Sequence, residues 1–492
     1  MTKIFDPAPT KTRLDLNANI LKAEYAIRGP LLDKVQAYED HLREKPGSLP
    51  FDHVVNALIG NPQLLDQKPL TFTRQVLSIV QNPTILQHRD ILIAKKIYNR
   101  DVIKRAELLI SQVGKSMGTY TLTKGILGIR NDIANFITQR DGETCDPDDL
   151  YLTDGATMAI MQLFSLFAKD SKTGVLLPIP QYPLYTALLT MYNLELLPYY
   201  LNEEDGWSTD TVEIENVIKS SISNGTTPQA IVIINPGNPT GAILSLETLA
   251  DILTIAAKYG IIVIADEVYQ QNIFKKEIEF HSMKKVLRHL QKSHPQGEYN
   301  NVQLVSLHSA SKGTSGECGQ RGAFMEVVGF NDEVKEEILR LFSISLCAGT
   351  AGQVLVDLMV KTPQPGDESY ELDQKERHLI NNNMKERAVL LYDIFNNLEG
   401  FECQEPQGGM YLFPKLTLPQ RAIEESRRVG YEPDEYYCHK LLDATGICVV
   451  PGTGFRQRPG TYHIRTTFLP PGTEWITRWK DYHLHFLEEY SN

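Results

Sequence analysis

Gln229-Ala230-Ile231-Val232-Ile233-Ile234-Asn235 runs directly into Pro236-Gly237-Asn238-Pro239-Thr240-Gly241, and the fold is read from this stretch. An unbroken apolar run of this length has no polar face, so it predicts a strand covered on both sides, as in a parallel sheet. After the turn, Ser245 can cap a helix with Leu246, Leu249, Ile252, Leu253 and Ala257 on one face. Gly260 stops that helix, and Ile261 to Ala265 is the next strand-length apolar run. Asn238 and Asp266, 28 positions apart, therefore bound one strand–helix–strand crossover, which makes their two strands neighbours.

Outward from this unit the alternation continues. Tyr151 to Thr153 predicts a short strand, Asp154-Gly155-Ala156-Thr157 a turn, Met158 to Lys169 a helix, and Val302 to Leu307 another strand. The expected fold is α/β, a large domain with a mostly parallel sheet flanked by helices. Farther on, Gln374 to Leu398 reads as a long helix stopped by Gly400, beside strand candidates Met410 to Leu416, Ile447 to Val450 and Thr461 to Phe468. That pattern predicts a smaller α+β domain, with the polar loop Thr362 to Leu372 near the junction. The expected division is residues 1–89 as an N-terminal arm and a segment contributing to the small domain, 90–345 as the large domain, and 346–492 as the small one.

The 492 residues carry 42% hydrophobic and 22% charged residues, enough apolar material for a large core. A formal charge of −12 without clustered Lys and Arg argues against a nucleic-acid partner. No apolar run approaches a membrane span of ~20 residues. The six cysteines are widely spaced without a Cys-x-x-Cys pair, so neither a disulfide frame nor a metal site is expected. Met1 to Leu16 lacks a signal-peptide core and carries Asp6 and Asp15, unlike an acid-poor presequence. A cytoplasmic location is expected.

Asn238 follows one strand, Asp266 ends the next, and Lys312 in Ser309-Ala310-Ser311-Lys312-Gly313 follows a third. Ligands of open α/β sheets bind at these carboxyl ends, so the three can share one crevice. Tyr269 stands three residues after Asp266, and Arg321 nine after Lys312. An amide, a carboxylate, a phenol, an amine and a guanidinium in this order match the needs of pyridoxal 5′-phosphate. Lys312 can condense with its aldehyde and serve as general base; Asp266 can keep the ring nitrogen protonated; Tyr269 and Asn238 can donate to its phenolic oxygen. Arg321, Ser309 and Ser311 can hold the phosphate with the backbone of Gly155, Ala156 and Thr157. Each motif alone is weak: a lone Ser-x-Ser-Lys is usually a solvated turn.

The chain resembles the fold-type I pyridoxal phosphate enzymes of the aspartate aminotransferase superfamily, and the alanine aminotransferases among them. The likeness rests on Asn61-Pro62-Gln63, Pro180-Gln181-Tyr182-Pro183-Leu184-Tyr185, Asn235 to Gly241, Ser311-Lys312-Gly313, Gly316-Glu317-Cys318-Gly319-Gln320-Arg321-Gly322 and Gln407-Gly408-Gly409-Met410-Tyr411. The resemblance implies that Tyr182 stacks on the cofactor ring, that Tyr120 reaches the phosphate of a neighbouring subunit in a homodimer, and that Arg465 and the backbone of Gly60 bind the substrate α-carboxylate. It implies a ping-pong exchange between small amino acids and 2-oxo acids, L-alanine and 2-oxoglutarate giving pyruvate and L-glutamate. A transaminase of other specificity, a related lyase and a cofactor-binding paralogue with little activity are the alternatives. Two departures stand out: Ala323-Phe324 replaces an expected Gly-Tyr, and the Lys312–Arg321 spacing is one residue longer than in aspartate aminotransferases. His308 reads as packing.

Overall fold

The computed structural model describes residues 10–25 and 29–491. Its centre is an eight-stranded sheet: β1 (Leu150–Asp154), β2 (Thr173–Ile179), β3 (Glu195–Asn202), β4 (Ser208–Thr209), β5 (Thr227–Ile234), β6 (Ile262–Asp266), β7 (Leu304–Ser309) and β8 (Gly322–Val328). The spatial order is β1-β8-β7-β6-β5-β2-β3-β4. β3, β2, β5, β6 and β7 run parallel, while β8 is antiparallel to both of its neighbours and β4 is an antiparallel edge. The apolar run from Gln229 to Ile234 lies in β5, in the middle of this sheet. Its period-two geometry sends Val232 and Ile234 to one covered face, and Ile231 and Ile233 to the other.

The crossover is built as its sequence reads. Ser245 Oγ accepts from the Thr248 amide at 3.1 Å, the helix spans Leu246–Tyr259, and Gly260 ends it in a left-handed conformation at φ 66°. Leu249, Ile252 and Leu253 pack under Ile231, Val263 and Leu304. The helix after β1 starts earlier than expected, at Ala156 rather than Met158, because Gly155 at φ 81° turns the chain directly into it. A further core joins the helices Thr71–Gln81, Arg100–Val113, Leu127–Asp141 and Thr350–Val360, two of which lie beyond the expected limits at 89/90 and 345/346.

The C-terminal strands are shorter than their apolar runs. Met410 to Leu416 forms two pieces, Tyr411–Leu412 and Lys415–Leu416, since Pro414 has no N–H for a ladder. Tyr411–Leu412 pairs with Ile464–Thr467, which also pairs with Val450–Pro451. Val55–Asn56 pairs with Ile447–Cys448, bringing the start of the chain beside its end. The long helix begins at Tyr370, four residues before the expected Gln374, and runs to Asn396. Among the described residues no helix is long and apolar enough to cross a membrane.

One ion pair is wholly inside the fold: Lys284, from the helix Met283–Ser293, and Glu326 of β8 are 0% and 2% exposed. Removing one partner strands a charge, so Lys284→Met is expected to destabilise by about 3–5 kcal/mol in denaturant unfolding. Adding Glu326→Leu should recover most of that loss.

Candidate active site

The parallel ladder places Ile234 opposite Asp266 and Asp266 opposite Leu307, so the ends of β5, β6 and β7 open on one cavity. It measures about 180 Å³. Lys312, Asn238, Asp266, Tyr269 and Tyr182 line it, as do Ala156, Thr157, Ser309, Arg321 and Arg465. Gly60 is at its edge: its carbonyl accepts from Lys312 Nζ at 2.5 Å, and its amide donates to the Tyr411 hydroxyl at 3.2 Å. Tyr120 lies outside the cavity and is 79% exposed.

Burial decides the acid. Asp266 Oδ2 accepts from the Tyr185 hydroxyl at 2.8 Å, yet loss of water lifts its carboxyl to about 6, with that bond pulling only partly back. Burial also pushes the Tyr182 and Tyr269 phenols well up. Tyr411 behaves differently. Burial raises it, but the positive charges of Lys312 and Arg465 and the Gly60 amide outweigh that and leave it lowered.

Two guanidinium groups that line the cavity have only neutral hydrogen-bond partners. Arg465 is fully buried; it donates to the Leu58 carbonyl at 2.7 Å and to Asn238 Oδ1 at 3.2 Å, and its Nε has no partner. It lies 4.1 Å over the Tyr411 ring and 5.0 Å over Phe455. Arg321 donates to the carbonyls of Cys318 and Asp154 at 2.9 and 3.4 Å. A Cβ on Gly155 would collide with the Arg321 guanidinium, which therefore rests against bare backbone at a helix start that no side chain caps. Free amides beside a cation form an anion seat. An amine, a buried acid and this seat fit pyridoxal 5′-phosphate.

A family model described as "Aminotransferase class I and II" matches residues 94–474. The chain belongs to this family. It is a pyridoxal phosphate-dependent aminotransferase of fold-type I. Two relatives from Saccharomyces cerevisiae are each 55% identical: "Inactive alanine aminotransferase", over 99% of this chain and 96% of that protein, and "Alanine aminotransferase, mitochondrial", over 99% and 82%. The solved alanine aminotransferase from Pyrococcus furiosus is 25% identical at a TM-score of 0.72, covering 96% of this chain and 100% of its own.

These relatives correct the cytoplasmic expectation. The 55%-identical yeast enzyme is named mitochondrial, as are relatives from Dictyostelium discoideum and Arabidopsis thaliana. That expectation rested on the composition of residues 1–16, whereas the catalytic core of an aminotransferase folds without reference to its compartment.

Three groups carried no role in the sequence reading. Tyr411 was visible only as part of a Gly-Gly motif, Tyr185 only as the end of a hexapeptide, and Tyr25, whose hydroxyl meets that of Tyr182 at 3.0 Å, had no local signal. Ser309 Oγ donates to the Gly322 carbonyl at 3.0 Å and lies 2.9 Å from Ser311 Oγ, closing the lysine turn. The Ala323-Phe324 departure faces away from the cavity chemistry: Phe324 packs edge-on to His308, which also stacks on Phe136. Burial drives His308 down to about 3, so it stays neutral.

Asp266 gives a pH test in cofactor-free protein. Its folded value of about 6 lies above the ordinary 3.8, so its ionisation opposes folding, increasingly as pH rises from 4 to 6 and fully above that. Asp266→Asn is expected to be more stable than wild type at pH 8 by about 3 kcal/mol, with the difference vanishing below pH 4. A pH-independent difference in denaturant midpoints would contradict burial as the cause.

Proposed function

We propose that this aminotransferase interconverts L-alanine and 2-oxoglutarate with pyruvate and L-glutamate, as a homodimer with shared active sites. The observation that carries this reading is Arg465, a fully buried guanidinium with neutral partners beside the candidate lysine. All four substrates share an α-carboxylate, and guanidinium geometry suits a two-point hold on it. Alanine as the amino donor is supported by relatives of that name, 55% identical in yeast and 42% in Panicum miliaceum.

In this reading, Arg465 and the Gly60 amide orient the substrate, with Asn238 as a further contact. Lys312 Nζ takes the α-proton and later gives it up, ending each half-reaction as it began. Asp266 holds the cofactor ring nitrogen, Tyr269 and Asn238 its phenolic oxygen, and Tyr182 its face. Arg321, Ser309 and the amides of Ala156 and Thr157 hold its phosphate. When bound, the cofactor supplies the electron sink that makes the α-proton removable. Exposed Tyr120 is assigned to the neighbouring subunit's phosphate. The three-part domain division belongs to the same proposal, its limits moved outward so that Thr71–Gln81 and Thr350–Val360 fall in the large domain.

The relative named inactive, also 55% identical, favours a second reading in which cofactor binds without turnover. The amine, acid, phenol and both guanidinium groups all line the cavity, which supports activity. Purified enzyme is expected to form pyruvate from alanine only when 2-oxoglutarate is present, and Lys312→Ala to abolish this together with the lysine–cofactor absorbance. Cofactor absorbance without pyruvate would favour the second reading. Mixing refolded Lys312→Ala and Tyr120→Ala subunits should restore activity, because one hybrid site regains both residues; no recovery would remove the shared-site assignment.

A further inference from the structure

Asn61-Pro62-Gln63 and Glu317-Cys318-Gly319 are far apart in the chain, Asn61 and Cys318 being 257 positions apart, yet they meet. Arg74, on the helix Thr71–Gln81, joins them. Its Nε and Nη2 donate to the two carboxylate oxygens of Glu317 at 2.9 and 2.8 Å, and Nη2 also donates to Gln63 Oε1 at 2.9 Å. Alongside, Cys318 Sγ donates to Asn61 Oδ1 at 3.3 Å and Gln67 Nε2 to the Thr314 carbonyl at 3.1 Å. Gly316 sits at φ +59°, where a Cβ would run into Gln67.

The Glu317 side chain is 3% exposed, while Arg74 is 39% exposed. A carboxylate buried this far is costly unless a fork of donors meets both oxygens, so the pair adds geometry more than stability. The geometry is specific. Residues 58–67 carry the Leu58 carbonyl on Arg465 and the Gly60 carbonyl on Lys312 Nζ, while residues 312–321 carry Lys312 and Arg321 themselves.

We propose that Glu317 and Arg74 are positioning residues for substrate binding: they fasten the segment carrying Leu58 and Gly60 to the turn carrying Lys312, fixing the α-carboxylate seat relative to the lysine amine. This rests on the assignment of Arg465 and Gly60 to that carboxylate. It also accounts for the two motifs occurring together, since each is half of one fastening.

The test uses cofactor-loaded enzyme carrying Glu317→Gln, Arg74→Leu, both together, or Arg74→Lys, which keeps the charge without the fork. Each single change is expected to raise KM for alanine and 2-oxoglutarate together by roughly ten- to a hundredfold, with a smaller change in kcat and cofactor retained. The double variant should be no worse than the worse single one. Arg74→Lys should raise KM at unchanged Tm, which separates positioning from folding. Unchanged KM with lowered Tm, or additive losses, would overturn the proposal. The dissociation constant of 2-methylalanine, followed by cofactor absorbance, should rise in the same variants. It reads the fastening even if the wild type fails to turn over alanine, an outcome that would count against the proposed function alone.

Discussion

The parallel ladder between β5, β6 and β7 sets Ile234 beside Asp266 and Asp266 beside Leu307, and the chemistry of the cavity depends on that register. Strand side chains alternate faces, so a slip of one residue would turn Asp266 away and bring an apolar neighbour into its place. The register is held by both faces at once, because Ile231, Ile233, Val263 and Ala265 pack on one side while Val232, Ile234, Ile262 and Ile264 pack on the other. Asp266 stands at the carboxyl end of its strand, where the sheet opens on the cavity.

Buried charge in this protein falls into two kinds. Lys284 with Glu326, and Arg74 with Glu317, are neutralised within the chain and serve its geometry. Asp266 and Arg465 are buried, meet only neutral partners and line one cavity, which the exposed Arg321 also lines. Groups of the second kind weaken the fold that holds them, as the raised Asp266 value shows. Sites that bind charged ligands accept that cost because the ligand supplies the missing partner.

Much of this was legible in the chain. Ser245, the apolar stripe behind it and Gly260 marked a helix whose observed caps are those residues, because capping is local chemistry. Other features were not local. The division of Met410 to Leu416 depended on Pro414 meeting a ladder, and the early start at Tyr370 on the packing of that helix. Tyr185 became the partner of Asp266 only because its helix packs against the sheet 81 residues upstream of that acid. Compartment left no readable trace in the folded core.

Short-range periodicity and compact motifs were enough for the covered, mostly parallel sheet, the one crossover from Asn238 to Asp266, the residue types at the strand ends and the family they resemble. Only the tertiary structure decided which charges go unpaired, that Tyr411 stands between Lys312 and Arg465, and that Arg74 joins two distant motifs. The reason is physical. Periodicity reports which face of an element is buried, whereas pairing depends on distances between elements hundreds of residues apart, and those exist only once the chain has packed.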